Sequence, residues 1–148
     1  MRVLCLDVGS KTIGVAMSDP TGLIAQGIRT IDRGHTTADC GVLDGMVREQ
    51  GVETIVVGLP FNMDGSEGPM AANVRTFVRE MQKIIQDIPV VFWDERLSTV
   101  AAERGLLEAD LSRAKRRKVI NQMAAAFILQ GYLEANRPPV MDADADRD

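Results

Sequence analysis

The chain of 148 residues has no apolar run approaching the length of a membrane span, so a helical membrane protein is not expected. Its first residues, Met1-Arg-Val-Leu-Cys-Leu-Asp7, bring an acid too early for the apolar centre of a signal peptide, and a cytoplasmic location is expected. Cysteine is scarce: Cys5 and Cys40 are the two present, and neither has a partner at metal-ligand spacing. Cys5 lies in an apolar run and reads as a small buried hydrophobe. His35, the one histidine, sits in a polar stretch, so no Ser/His or Cys/His nucleophilic pair can be assembled without it. There is no Gly-x-x-x-x-Gly-Lys-Ser/Thr loop, which removes the P-loop nucleotide hydrolases. Internal repeats and domain boundaries are absent as well. The length suits one domain with a full hydrophobic core, taken as residues 1–138, before an acidic tail over 139–148 that is expected to be disordered.

The net charge of −4 argues at first against a polyanionic partner. Yet the tail holds Asp142, Asp144, Asp146 and Asp148 against Arg147 alone, which accounts for most of that charge. Distribution decides such questions, not the total. The densest cluster in the chain is basic: Arg113-Ala-Lys-Arg-Arg-Lys118. It can hold a phosphate backbone, or it can be a solvated charged face.

Periodicity predicts the elements. Residues 3–8, 13–18 and about 24–31 are short strand-like runs joined by turn-length connections, which implies an antiparallel meander because parallel neighbours need long crossovers. Leu43, Met46 and Val47 stand at helical spacing before Gly51, and Thr54–Gly58 is the β-branched run of a buried parallel strand. A helix over about 70–86 follows, then a fifth strand at 90–93. A helix opening at Ser98 comes next, and a last one runs over about 116–135. The order β-β-β-α-β-α-β-α-α predicts an α/β fold: a five-stranded mixed sheet, three strands in an antiparallel meander and two parallel, with helices on both faces.

Three segments carry chemistry at strand ends. Asp7-Val-Gly-Ser-Lys-Thr-Ile-Gly14 ends a strand on a carboxylate, a costly place for one unless a cation or hydrogen bonds compensate. Gly9 and Gly14 allow backbone close to a phosphate and Lys11 can neutralise it; the plainer alternative is a hairpin whose Asp braces the turn. Val57-Gly-Leu-Pro-Phe-Asn-Met-Asp-Gly-Ser-Glu-Gly68 leaves the end of a parallel strand, where open sheets place their sites, and is longer than a connection requires. Trp93-Asp-Glu-Arg-Leu-Ser-Thr99 puts Asp94 and Glu95 after the fifth strand, near the same sheet edge as Asp7. Carboxylates converging there repel unless a divalent cation lies between them, and that arrangement suits metal-assisted phosphodiester cleavage. Alternatively, Asp94 or Ser98 caps the next helix, and Trp93 belongs to the core.

These segments, together with Lys118-Val-Ile-Asn-Gln-Met-Ala-Ala-Ala-Phe-Ile-Leu-Gln-Gly-Tyr-Leu, closely resemble the YqgF/RuvX family, Holliday junction resolvase-like proteins also described as pre-16S ribosomal RNA nucleases. The resemblance runs over about residues 2–135. It implies an RNase H-like fold, a Mg²⁺- or Mn²⁺-dependent nuclease, and a role in maturing the 5′ end of pre-16S rRNA. Cleavage of branched DNA is the alternative. The implied reaction is in-line attack of water, leaving a 5′-phosphate and a 3′-hydroxyl. By resemblance Asp7 is the first-strand metal ligand and Glu95 the acid after the fifth strand, while the third position, an Asp in the family, is Asn121 here. An amide oxygen can coordinate but brings no charge. Either Asn121 serves as a ligand, or Asp94, Asp64 or Glu103 substitutes, or the chain binds nucleic acid with little cleavage. Contacts to structured RNA or branched DNA are expected from Lys11, Thr12, Asn62, Arg96, Ser98, Arg113, Lys115, Arg116, Arg117 and Lys118. A monomer or weak homodimer is expected. The hairpin also resembles the phosphate loop of actin-like kinases, but 148 residues leave no second domain to close over a nucleotide.

Overall fold

A computed structural model describes residues 2–110 and 113–137, without the side chains of 109, 110 and 113–117; the acidic tail 139–148 lies outside the described residues. The first apolar run is strand β1 (Arg2–Val8), followed by β2 (Thr12–Ser18) and β3 (Ala25–Asp32). The Gly9 N–H donates to Thr12 O (2.8 Å), closing the β1–β2 turn. Helix α1 (Thr36–Gln50) stops where Gly51 adopts φ 63°, a left-handed conformation that costs glycine little. Then come β4 (Val52–Leu59), α2 (Pro69–Ile84, with Pro69 in its first turn) and β5 (Val90–Asp94). A 3-10 turn (Glu95–Leu97) leads to α3 (Val100–Asp110) and α4 (Arg113–Ala135). Among the described residues no helix is long and apolar enough to cross a membrane.

The sheet order is β3-β2-β1-β4-β5: β1, β2 and β3 pair antiparallel, and β4 lies parallel to both β1 and β5. This is the mixed sheet expected from the order of elements. One correction concerns α4, which begins at Arg113 instead of 116. Ala, Lys and Arg are strong helix formers, so the basic cluster is itself helical. Another concerns Ser98, which precedes α3 by two residues; its Oγ donates to Glu95 O (2.7 Å) and accepts from Val100 N (3.3 Å).

Alternation along β1 sends Leu4, Leu6 and Val8 to one face and Val3, Cys5 and Asp7 to the other. On the first face the buried set includes Leu43 of α1 and Phe77 and Met81 of α2. Burying side chains of that size contributes about 1.5–3 kcal/mol each. The second face is built differently. Its strand residues are small (Cys5, Ala16), and α4 lays Ala124, Ala125, Ile128 and Leu129 on them, with Val100 of α3 beside it. Trp93 packs in this layer, edge-on to Tyr132 at 5.6 Å between centroids.

Small residues let α4 come very close. A Cβ at Gly14 would overlap the main-chain carbonyl of Asn121, and one at Gly27 would lie 3.0 Å from Gln122 O. Gly14 pairs with Asp7 in the β1–β2 register. The helix is thereby pressed onto the sheet beside the carboxylate.

Candidate active site

Asp7 stands on the α4 face of β1, near the strand's carboxyl end. Glu95 reaches the same place from β5 through the 3-10 turn. That turn is fastened by Asp94, whose Oδ1 accepts from Arg96 N (2.9 Å), and by the Ser98 N–H donating to Glu95 O (3.1 Å). On β4, between the two, Gly58 leaves the room: a Cβ there would sit 3.3 Å from Glu95 Cγ and Oε1, and 2.9 Å from Ile128 Cδ1. Asp7 and Glu95 lie close enough for each carboxyl group to shift the ionisation of the other. From α3, Arg104 Nη2 donates to Asp7 Oδ2 (3.1 Å). From α4, Asn121 Nδ2 donates to Thr12 Oγ1 (2.8 Å). A cavity of about 610 Å³ opens over this group, lined among others by Asp7, Glu95, Arg104, Asn121, Glu108 and Met70.

Burial raises the pKa of Asp7, although the Arg104 guanidinium and the neighbouring Glu95 carboxyl both pull it down. Burial also raises Glu95, helped by the negative charge of Asp7, to about 7. The nearby charges of Asp7 and Glu95 add to burial in pushing the Cys5 thiol up, and burial lifts Cys40 to about 11, so neither cysteine is a ready thiolate. The carboxyl pair has a consequence for stability. The folded chain keeps a proton on Glu95 that the unfolded chain releases above its ordinary value of 4.5, so stability should fall as pH rises from about 4.5 to 7. The loss should reach about 3 kcal/mol, since each pKa unit corresponds to ~1.4 kcal/mol. Chemical denaturation in a chelator from pH 5 to 8 checks this. Glu95→Gln should flatten the slope, and an equally steep profile in that variant would assign it to another group.

The sequence-predicted residues divide into two sets. Asp7, Glu95 and Asn121 line one cavity, and Thr12 joins them through its bond with Asn121. The other described ones are not among the residues that line the cavity. Lys11 is exposed in the hairpin turn. Asn62 is exposed and donates to Ser66 Oγ (2.9 Å). Arg96 pairs with Asp94 (2.8 Å) and stacks over Phe61 at 5.1 Å, tying the strand-4 loop to the strand-5 turn. Ser98 serves the backbone of that turn, and Lys118 is exposed. The side chains of Arg113, Lys115, Arg116 and Arg117 lie outside the described residues.

Of the acids offered in place of a third carboxylate, Asp94 is taken by Arg96, Asp64 accepts from Ser66 N (2.9 Å) and Oγ (2.6 Å), and Glu103 is not among the cavity residues. Among the described residues no group of three His, Cys, Asp or Glu side chains is placed to hold a metal. Gly14 also departs from expectation, since it admits α4 instead of approaching a phosphate. Sequence reasoning missed Arg104 and Glu108. They are four apart on one helix face, but nothing in the one-dimensional pattern distinguishes that face from its neighbours.

A five-stranded mixed sheet with acids at the carboxyl ends of β1 and β5, under a close-packed C-terminal helix, is an RNase H-like fold. The sequence pattern of the RuvX family, described as Holliday junction resolvase, matches residues 1–135, and the chain belongs to that family. It is 60% identical over 134 residues to a "Putative pre-16S rRNA nuclease" of Moorella thermoacetica, covering 90% of this chain and 95% of the relative. It is 55% identical over 146 residues to a protein of the same name from Myxococcus xanthus, covering 99% and 96%. Among solved structures it is similar to the T. thermophilus RuvC in complex with Holliday junction substrate, with TM-score 0.60 and 12% identity over 93% of this chain and 97% of that one. It is also similar to the Fowlpox virus resolvase bound to Holliday junction DNA, with TM-score 0.54 and 10% identity over 93% and 100%. At such identities these two likenesses speak for the fold alone.

Proposed function

We propose that this chain is a divalent-metal-dependent endonuclease that hydrolyses phosphodiester bonds in the 5′-end maturation of pre-16S rRNA. The observation that carries the reading is the pairing of Asp7 and Glu95 across Gly58, in a cavity at the carboxyl ends of their strands. Two half-buried carboxyl groups lining one cavity, with a single arginine nitrogen on one of them, are an oxygen-donor set that fits a hard divalent cation. Asp7 and Glu95 would hold it, with the amide oxygen of Asn121 as a neutral third donor, since the Asn121 nitrogen is committed to Thr12. A bound cation supplies Lewis-acid stabilisation of the charge that builds on the phosphoryl oxygens and acidifies the attacking water.

The chain's own residues prepare that chemistry. Burial raises both Asp7 and Glu95, and positive charge placed beside them would lower both again. Thr12 fixes the Asn121 amide, and the α4 layer excludes water from one side of the pair. Lys11, Arg96 and Lys118 are exposed, and with the basic start of α4 they would supply contacts for the nucleic-acid backbone.

A single assay tests the reading. The parent and Asn121→Asp are incubated with precursor 16S rRNA and with a four-way DNA junction, in Mg²⁺ and in Mn²⁺. The parent should cut the precursor RNA, and Asn121→Asp should cut it about 10-fold faster or more, the scale on which even supporting groups of a metal site act. Faster cutting of the junction would move the substrate to branched DNA. The neutral Asn121 favours a second reading, a nucleic-acid-binding assembly factor. Salt-sensitive binding by both proteins with no cleavage of either substrate would establish it.

A further inference from the structure

Among the described residues, Arg104 is the one cation whose side chain lines the cavity. It comes from α3, outside the sheet, and a single nitrogen, Nη2, reaches Asp7 Oδ2 at 3.1 Å. Its side chain is 39% exposed against 17% for Asp7, so the guanidinium is the more solvent-accessible partner of the pair. Both line the cavity through which a cation or a phosphate would reach Asp7. Glu108 lies four residues further along α3 and lines the same cavity, at a spacing that lets it receive the same guanidinium.

We propose that Arg104 is a substrate-binding residue held in reserve on Asp7. The guanidinium would leave Asp7 where that carboxylate is needed for a divalent cation, and would contact a non-bridging oxygen of the scissile phosphodiester. The inference rests on the metal-dependent reading of the site. Its physical basis is charge. A guanidinium and a divalent cation within a few ångströms repel each other, and an anion placed between them turns that repulsion into a clamp. A phosphodiester is such an anion, and arginine has a planar fork with donors to spare for it. With an amide at 121 in place of a third acid, a cation fixed to the chain also supplies positive charge that a weakly held metal supplies less reliably.

The test uses the full chain with Arg104→Gln and Arg104→Lys. Mn²⁺ binding is measured by calorimetry at pH 8 without nucleic acid. RNA binding is measured against salt in Ca²⁺. Removing the competing cation should let Arg104→Gln bind Mn²⁺ about 10-fold more tightly. The same variant should lose about one phosphate contact, lowering the slope of log affinity against log salt by ~1. Arg104→Lys should keep the parent's slope. Mn²⁺ affinity in Arg104→Gln equal to or weaker than the parent's would make Arg104 a brace for Asp7 and overturn the proposal, as would an unchanged salt slope. If the parent cuts no nucleic acid at all, the nuclease reading falls, while both binding measurements still decide the role of Arg104.

Discussion

Asp7→Asn combined with Glu95→Gln should abolish cleavage, by at least about 10³-fold, without unfolding the chain. A loss of that size corresponds to ~4 kcal/mol of transition-state stabilisation. The amides keep the volume and most of the hydrogen bonds of the carboxyls, so the packing around Gly58 and Ile128 is preserved. They remove the negative charge that a divalent cation requires. The energetics of the folded state change in the opposite direction. In the parent, burial raises both carboxyl groups, and the charge of Asp7 adds to it at Glu95, which stands at about 7, so their ionisation opposes folding. The double variant should therefore be at least as resistant to denaturant at pH 8, in a chelator, as the parent. Cleavage above one per cent of the parent rate would assign the chemistry to other residues. A collapse in stability would mean that the pair braces the fold.

Gly14→Ala should be among the most damaging single-methyl changes in the chain. The new Cβ would overlap the carbonyl carbon and oxygen of Asn121, and these are main-chain atoms of a helix that cannot rotate away. Either α4 lifts from the sheet or β2 is displaced. Overpacking of a well-packed interior costs about 1–3 kcal/mol and occasionally more, and a clash with backbone belongs at the upper end. A lifted α4 loosens Ala124, Ala125 and Ile128 from Cys5, Ala16 and Val56, and it carries Asn121 away from Thr12. Urea denaturation should show a loss of about 3 kcal/mol, with cleavage falling further than the unfolded fraction explains. Gly27→Ala, whose Cβ would meet Gln122 O at 3.0 Å, should be milder. Parent-like stability in Gly14→Ala would contradict the close seat of the helix.

Much of this protein could be read in one dimension because its signals are local. Short β-branched runs separated by turns specify a meander, and a continuous apolar run between helices specifies a buried parallel strand. Asp7 and Glu95 are legible for the same reason, since a carboxylate ending an apolar strand is costly and calls for a purpose. Asn121 could be marked as a neutral residue where an acid was expected, because that comparison needs only a motif. Proximity across the fold could not be read. Arg104 meets Asp7 over 97 residues of separation, and the spacing of α3 does not announce which face turns toward the cavity. Arg96 and Ser98, which sequence assigns to the substrate, also fasten the turn that aims Glu95, a role the sequence did not show. Gly14 reads as a turn residue with room for a phosphate, and becomes the seat of α4 only when the sheet is covered. The sequence by itself determined the order of strands and helices and the two acids, since each follows from neighbours along the chain. The tertiary structure alone decided which cation guards those acids, which glycines admit the helix, and that no third carboxylate among the described residues reaches the pair, because each depends on groups brought together by packing.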